Sequence, residues 1–535
     1  MLLEALILVG LKYVVVATLS VKITTPLGDI LGSTALKSRL GRTIYSFRGI
    51  RYAEAPINSL RFQPPVPTGK WSGVYNATVD GPACPQVQQD GVTIPTSEDC
   101  LFLNIYTTKP PSVKNTNKLP VLVFIHGGAY VSGTARSDMV GPRFLLDQDI
   151  VLATLNYRIG ALGFLSLGKD VPGNNGLKDQ VVALQWIKKY IHAFGGDPNS
   201  ITLSGSSVGG GSVNYHLLSP MSRGLFHRAI FSCYSAENPR EMSLNGCHVA
   251  QKQARFVGCP DDTPGRILDC LRTKSAEEIV KTLPRFLEFG KNPLLTYTPV
   301  IEKDYGQQRF IIEHPVKSIV NNNFQELPVL VGVTQNEFAF QTLNLILNKT
   351  LRQELNTNFE KWAPVIFGYE RHTEKSKNIS RTIRQFYLGD GRLTLLSLIP
   401  LGEAFADGIT GFAVNRAVDL ISNKSSCSVY YYKFTYQKTN AFGVFHAEDI
   451  LYLFDVPIQN RIYDSKMIEI MTSLWTNFAK HADPNEKSSV YPIWRPYNVD
   501  TKLYLDIGQE LVLRNHLFEE RYALWRRLFP VELYL

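Results

Sequence analysis

No C-x-x-C pair occurs anywhere in the 535 residues, so neither a zinc site of that type nor a thioredoxin-like redox motif has its ligands. Internal repeats and low-complexity tracts are absent as well. The most proline-rich stretch, Ala55 to Pro67, is short and lies between apolar segments, so it is no linker. The first twenty residues lack the run of about 18 apolar residues that a membrane span needs, because Lys12 interrupts it. The formal net charge is +9, but Lys and Arg are scattered. Pairs such as Arg526-Arg527 read as solvated helix surface, and no basic stripe or binding module points to nucleic acid.

What is present fits an ordinary globular protein, with 44% hydrophobic and 19% charged residues. A chain this long buries a large core without metals or dense cross-links. Ala5 to Leu11 and Tyr13 to Leu19 form an apolar N-terminus that predicts a secretory signal over residues 1–20, despite the acidic Glu4. The mature chain is then 21–535, extracellular and without a membrane anchor. Seven cysteines agree with export. Cys84 with Cys100 and Cys259 with Cys270 would each close a short loop, and a loop of about 15 residues is worth about 3 kcal/mol. The odd count leaves Cys233, Cys247 and Cys427 with at least one thiol unpaired. Four sequons, at Asn76, Asn348, Asn378 and Asn423, predict glycosylation of an exported chain.

Short apolar runs bounded by turns predict strands at 119–125, 150–157, 200–204, 328–333 and 428–434. Between two of them, Gly176 to Ile191 carries Leu177, Val181, Leu184, Ile187 and Ile191 on one stripe and predicts an amphipathic helix. Strands alternating with helices imply an α/β fold with a mainly parallel sheet, whose sites form beyond the carboxyl ends of the strands.

Gly205-Ser206-Ser207-Val208-Gly209 fits G-x-S-x-G directly after a strand and before a helix. Such a sharp turn lifts the serine hydroxyl clear at a helix N-terminus, where the dipole favours negative charge. The pentapeptide alone would arise by chance about 0.2 times in a chain of this composition, so context must carry it. Context is supplied in the order Ser, acid, His. Glu337 follows the strand ending near Val333, and His446 follows the strand ending at Phe434. His372, His481 and His516 lie in worse positions, in a polar run, at a helix end and near the last helix. His126-Gly127-Gly128-Ala129 follows the strand ending at Ile125 and offers unobstructed backbone N–H groups. Gly128, Ala129 and Val208 are the candidate oxyanion donors, each worth about 3 to 4 kcal/mol in a transition state.

These residues resemble the type-B carboxylesterases, or cholinesterase family. The resemblance runs from about Val21 to the last helix. It includes Phe47 to Ala53, Glu98 to Ile105, Asn156-Tyr157-Arg158 to Leu165, Gly173 to Gln180 and Phe194 to Pro198. It implies one α/β-hydrolase domain with helices on both faces of the sheet, and the same two cysteine loops. It implies hydrolysis of a small-molecule ester through an acyl-enzyme on Ser207, with His446 as base and Glu337 as its partner, and no metal or cofactor. The pattern looks most like secreted insect esterases. Three departures stand out. Ser206 replaces the usual Glu before the nucleophile, and Val208 replaces the usual Ala after it. The loop from Cys84 to Cys100 has no Trp, so a choline ester would lose its cation–π platform. The family also holds non-catalytic adhesion proteins. Those typically lose a triad residue and carry a membrane span, whereas all three residues stand here.

Overall fold

β-Branched and aromatic runs place every second side chain on the same face, so a strand covered on both sides must be apolar throughout. That is the pattern of Leu119–Ile125 and of Val329–Thr334, which are buried along nearly their whole length. The computed structural model describes residues 20–535 except 89–92, 111–116, 240–241, 243–245, 438–442, 457–462 and 486–492, and the side chains of 339–340. The proposed leader therefore lies outside the described residues, and Ser20 already opens the first strand.

Thirteen strands of the described residues form one sheet. They are β1 (Ser20–Thr25), β2 (Gly28–Lys37), β3 (Thr43–Arg51), β4 (Val74–Asn76), β5 (Phe102–Thr107), β6 (Leu119–Ile125) and β7 (Val151–Leu155). The rest are β8 (Gly196–Ser206), β9 (Arg228–Ser232), β10 (Val329–Thr334), β11 (Val429–Phe434), β12 (Leu503–Ile507) and β13 (Leu511–Asn515). The order is β1-β2-β3-β5-β7-β6-β8-β9-β10-β11-β12-β13, with β4 beside β2. From β7 through β12 every neighbour is parallel, while the outer strands pair antiparallel except β4, which runs parallel to β2. The expected mainly parallel sheet is thus flanked by antiparallel margins.

Alternation along the strands sorts the core into two layers. Val121, Val123 and Ile125 join Leu203, Phe231 and Val331 on one face, under the helices Asn175–Tyr190 and Val208–Leu218. Leu122 and Phe124 join Ile230, Leu330 and Tyr432 on the other, under the helix Ser465–His481. The parallel strands leave their carboxyl ends on one edge, which is where the site forms.

One helix differs from expectation. Asn175–Tyr190 is buried on almost every side, and only Gln185 and Lys189 are exposed. It is no surface amphipathic helix, because sheet and insertions enclose it. Its buried charges are held in ion pairs instead. Arg158 grips both oxygens of Asp179 (2.8 and 2.6 Å), and Lys178 meets Glu302 (2.6 Å). Buried charges need such partners. The continuous helical stretch Leu395–Lys424 is long and apolar enough to cross a membrane by composition, yet most of its apolar window is buried against the domain.

Both short cysteine loops are closed, Cys84 to Cys100 and Cys259 to Cys270. Three thiols remain free: Cys233 is buried, and Cys247 and Cys427 are half-buried. Asn76, Asn348, Asn378 and Asn423 are all exposed.

Candidate active site

The turn after β8 puts Ser207 at φ 58°, ψ −137°, a strained conformation for any side chain, with the helix Val208–Leu218 starting at the next residue. The turn is possible because its flanks have no side chains. A Cβ on Gly209 would lie 2.2 Å from the Ile125 carbonyl oxygen, and one on Gly205 would lie 2.4 Å from the Gly209 backbone. The Ser207 N–H donates to the Ser232 carbonyl on β9 (2.9 Å), which pins the turn to the sheet.

His446 lies between Ser207 and Glu337. Its Nε2 is 2.8 Å from Ser207 Oγ, and its Nδ1 makes a short hydrogen bond to Glu337 Oε2. The other oxygen of Glu337 accepts from the Thr334 N–H (2.9 Å) at the end of β10. Glu337 is buried, while His446 reaches the cavity wall. With the carboxylate holding the Nδ1 proton, Nε2 is free to accept one from the serine. Three side chains from distant parts of the sequence are thus in hydrogen-bond order.

His446 does not lie directly after β11, as the sequence placed it. It follows by twelve residues, on a segment held by Asn336. The Asn336 N–H donates to the Val444 carbonyl (2.8 Å), and its Oδ1 accepts from the Val444 N–H (3.0 Å). Gly443, at φ 101°, passes so close that a Cβ there would meet Asn336 Oδ1 at 2.1 Å. The Phe338 ring stacks on the imidazole, 4.1 Å between centroids. Asp449, buried behind this segment, accepts from the Tyr432 hydroxyl (2.6 Å). None of these four residues was picked out from the sequence. Only the adjacency of Asn336 and Phe338 to Glu337 could have drawn attention to them.

The segment after β6 turns through Gly128 (φ 114°), Ala129 (φ 54°) and Tyr130 (φ 59°). The Gly128 carbonyl accepts from the N–H groups of Val131 and Ser132 (both 2.9 Å), which fixes the turn. No acceptor among the described residues pairs with the N–H groups of Gly128 or Ala129, and Gly128, Ala129 and Val208 line the same cavity as Ser207. His126 stacks on Tyr157 and is held neutral, its pKa lowered to about 4 by burial. It therefore supports the turn and carries no charge to the site.

The cavity measures about 550 Å³. Met139, Val140, Leu294, Leu295, Ile409 and Ile450 give it an apolar wall, and Gln86, Gln88 and Gln341 supply amides. No Lys, Arg, Asp or Glu among the described residues lines it. The Cys84–Cys100 loop, which has no Trp, contributes Gln86, Val87, Gln88 and Ile94 to the wall. Gln86 is anchored at both ends of its amide to Gly133 (3.0 and 2.9 Å). Ser206 and Val208 both belong to the cavity wall, although the Ser206 hydroxyl itself is buried, with no hydrogen-bond partner among the described residues.

Comparison with known proteins agrees with this architecture. Esterase FE4 of Myzus persicae is 37% identical over 480 residues, covering 85% of this chain and 83% of that protein. Juvenile hormone esterase of Tribolium castaneum is 34% identical over 509 residues, covering 89% and 86%. Venom carboxylesterase-6 of Apis mellifera is 33% identical over 511 residues, covering 91% and 90%. The profile of the carboxylesterase family matches residues 19–525, and with that span and these relatives the chain belongs to the carboxylesterase family.

Proposed function

We propose that this protein is a secreted serine carboxylesterase that works through an acyl-enzyme on Ser207. The observation that carries this reading is the unbroken chain of contacts from Ser207 Oγ to His446 Nε2 (2.8 Å) and from His446 Nδ1 to Glu337. His446 takes the serine proton as the hydroxyl attacks an ester carbonyl. Glu337 holds the imidazole in the productive tautomer and offsets its charge. The oxyanion forms where the N–H groups of Gly128, Ala129 and Val208 converge. His446 then protonates the departing alcohol. It next activates a water, which releases the acid and frees the serine.

The cavity narrows the substrate class. An apolar chamber of about 550 Å³ with no Lys, Arg, Asp or Glu among its described lining residues suits a neutral ester with aliphatic acyl and alcohol parts. A cationic or dianionic ester would lose its hydration there without a counter-charge. Export is supported by the apolar N-terminus, two closed disulfides and four exposed sequons.

A panel of chromogenic esters tests the reading. Neutral short and medium esters should turn over, choline and phosphate-bearing esters should be poor, and Ser207→Ala should lower kcat by about 10⁴-fold or more with an unchanged denaturation curve. Equal turnover by Ser207→Ala would defeat it.

A further inference from the structure

The bend after β9 carries a thiol that the hydrolytic chemistry does not use. Cys233 sits in the left-handed region at φ 62°, and its N–H donates to the Gly332 carbonyl on β10 (2.9 Å). That conformation, uncommon for a residue with a Cβ, turns the side chain inward, and Cys233 is fully buried. Its Sγ, a carboxylate oxygen of Glu337 and a ring nitrogen of His446 all lie within 4.8 Å of one another. The Asp449 carboxylate stands behind the sulfur, with Oδ1 at 3.9 Å.

We propose that Cys233, Glu337 and His446 form a site for a soft divalent cation such as Zn²⁺ or Cd²⁺, whose binding stops ester hydrolysis. The donor set of one thiolate, one imidazole and one carboxylate is the chemistry that thiophilic d¹⁰ ions select. The distances suit it: ligands at about 2.0 to 2.3 Å from a tetrahedral ion lie between 3 and 4 Å apart, so the three atoms need shift only about 1 Å. The His446–Glu337 hydrogen bond must open for the ion to enter, which couples binding to inhibition.

The proton balance shows how activity is lost. The thiol proton leaves to solvent as sulfur takes the ion. The imidazole gives up its Nδ1 proton to free that nitrogen and takes one up at Nε2. It stays neutral, but Nε2 is now a donor and cannot accept the Ser207 proton. Inhibition should therefore lower kcat without raising KM, since the ion sits behind the imidazole rather than in the cavity. The inhibition arm rests on the esterase reading; the binding arm does not.

The test uses the full mature chain with Cys247→Ser and Cys427→Ser, so that Cys233 is its one free thiol and both disulfides remain. Cadmium titration should raise a thiolate-to-metal charge-transfer band at one ion per chain. It should also cut kcat by about 10²-fold, the size of a lost general base, with KM unchanged and full recovery on chelation. Adding Cys233→Ala should remove both the band and the inhibition while leaving metal-free turnover in place. Absence of the band in the parent, or equal inhibition in Cys233→Ala, would overturn the site. If Cys233→Ala does not fold, cadmium NMR of the parent decides: a resonance of a mixed sulfur, nitrogen and oxygen set supports the site, and an all-oxygen resonance refutes it. A band without any hydrolysis in the metal-free protein would uphold the metal site and defeat the esterase reading.

Discussion

Glu237 is a buried carboxylate through which folding stability depends on pH. It is fully buried five residues beyond β9, and neither carboxylate oxygen has a hydrogen-bond partner among the described residues. Arg416, the nearby cation, turns one donor to the Glu237 main-chain carbonyl instead (3.4 Å). Burial pushes the carboxyl up to about 7. The folded chain thus holds a proton there that the unfolded chain releases near its ordinary pKa of about 4.5. Stability is full below that lower value and is lost as pH rises through 7, by about 3 kcal/mol in total. Glu237→Gln keeps the neutral shape and should flatten this loss. Denaturation midpoints at about pH 5 and about pH 8 measure it: the wild type should lose stability between the two, and the variant should lose much less.

At the scale of elements, the site is an edge where several strands end and their following turns are laced together. The turn after β10 delivers Glu337, and the segment beyond β11 delivers His446. Asn336 joins the two through its N–H and its amide oxygen. Asn336→Ala removes the side-chain arm of that lace without touching Ser207, His446 or Glu337. It should lower kcat by about 10- to 100-fold with little change in KM, because misplacing a base by about 1 Å costs that much. Steady-state kinetics on a neutral ester check it. A parallel rise in KM would instead show that Asn336 shapes the cavity.

These elements also show what the sequence discloses. Short β-branched runs revealed β6, β7, β8, β10 and β11 to within a few residues, because a strand buried on both faces has few polar positions to blur its ends; β9, between β8 and β10, and β12 were not read. The elbow at Ser207 was legible because its glycines are required by contacts under 3 Å. The enclosure of Asn175–Tyr190 was not legible: its stripe of Leu177, Val181 and Leu184 reads the same whether the opposite face meets water or Glu302. Asn336 and Cys233 were missed for a related reason. Their surroundings depend on the approach of segments about 100 or more positions away, which no local pattern records. The elbow pentapeptide and the order Ser, acid, His brought Ser207, Glu337 and His446 together before any distance was known, and the family resemblance agreed, yet neither carried information on residues peculiar to this chain.

At the scale of the whole molecule, a doubly covered sheet with buried ion pairs at Arg158–Asp179 and Lys178–Glu302 holds one chamber over its carboxyl edge. That framework holds three side chains in hydrogen-bond order. The claim on which the rest depends is that Ser207 is made nucleophilic by that order. Labelling with an uncharged organophosphate followed by peptide mass mapping tests it most directly. One phosphoryl adduct per chain, on Ser207, formed with loss of ester turnover and prevented by His446→Ala, is the predicted result. An unlabelled Ser207 in protein that still hydrolyses esters, or labelling that proceeds equally without His446, would contradict it.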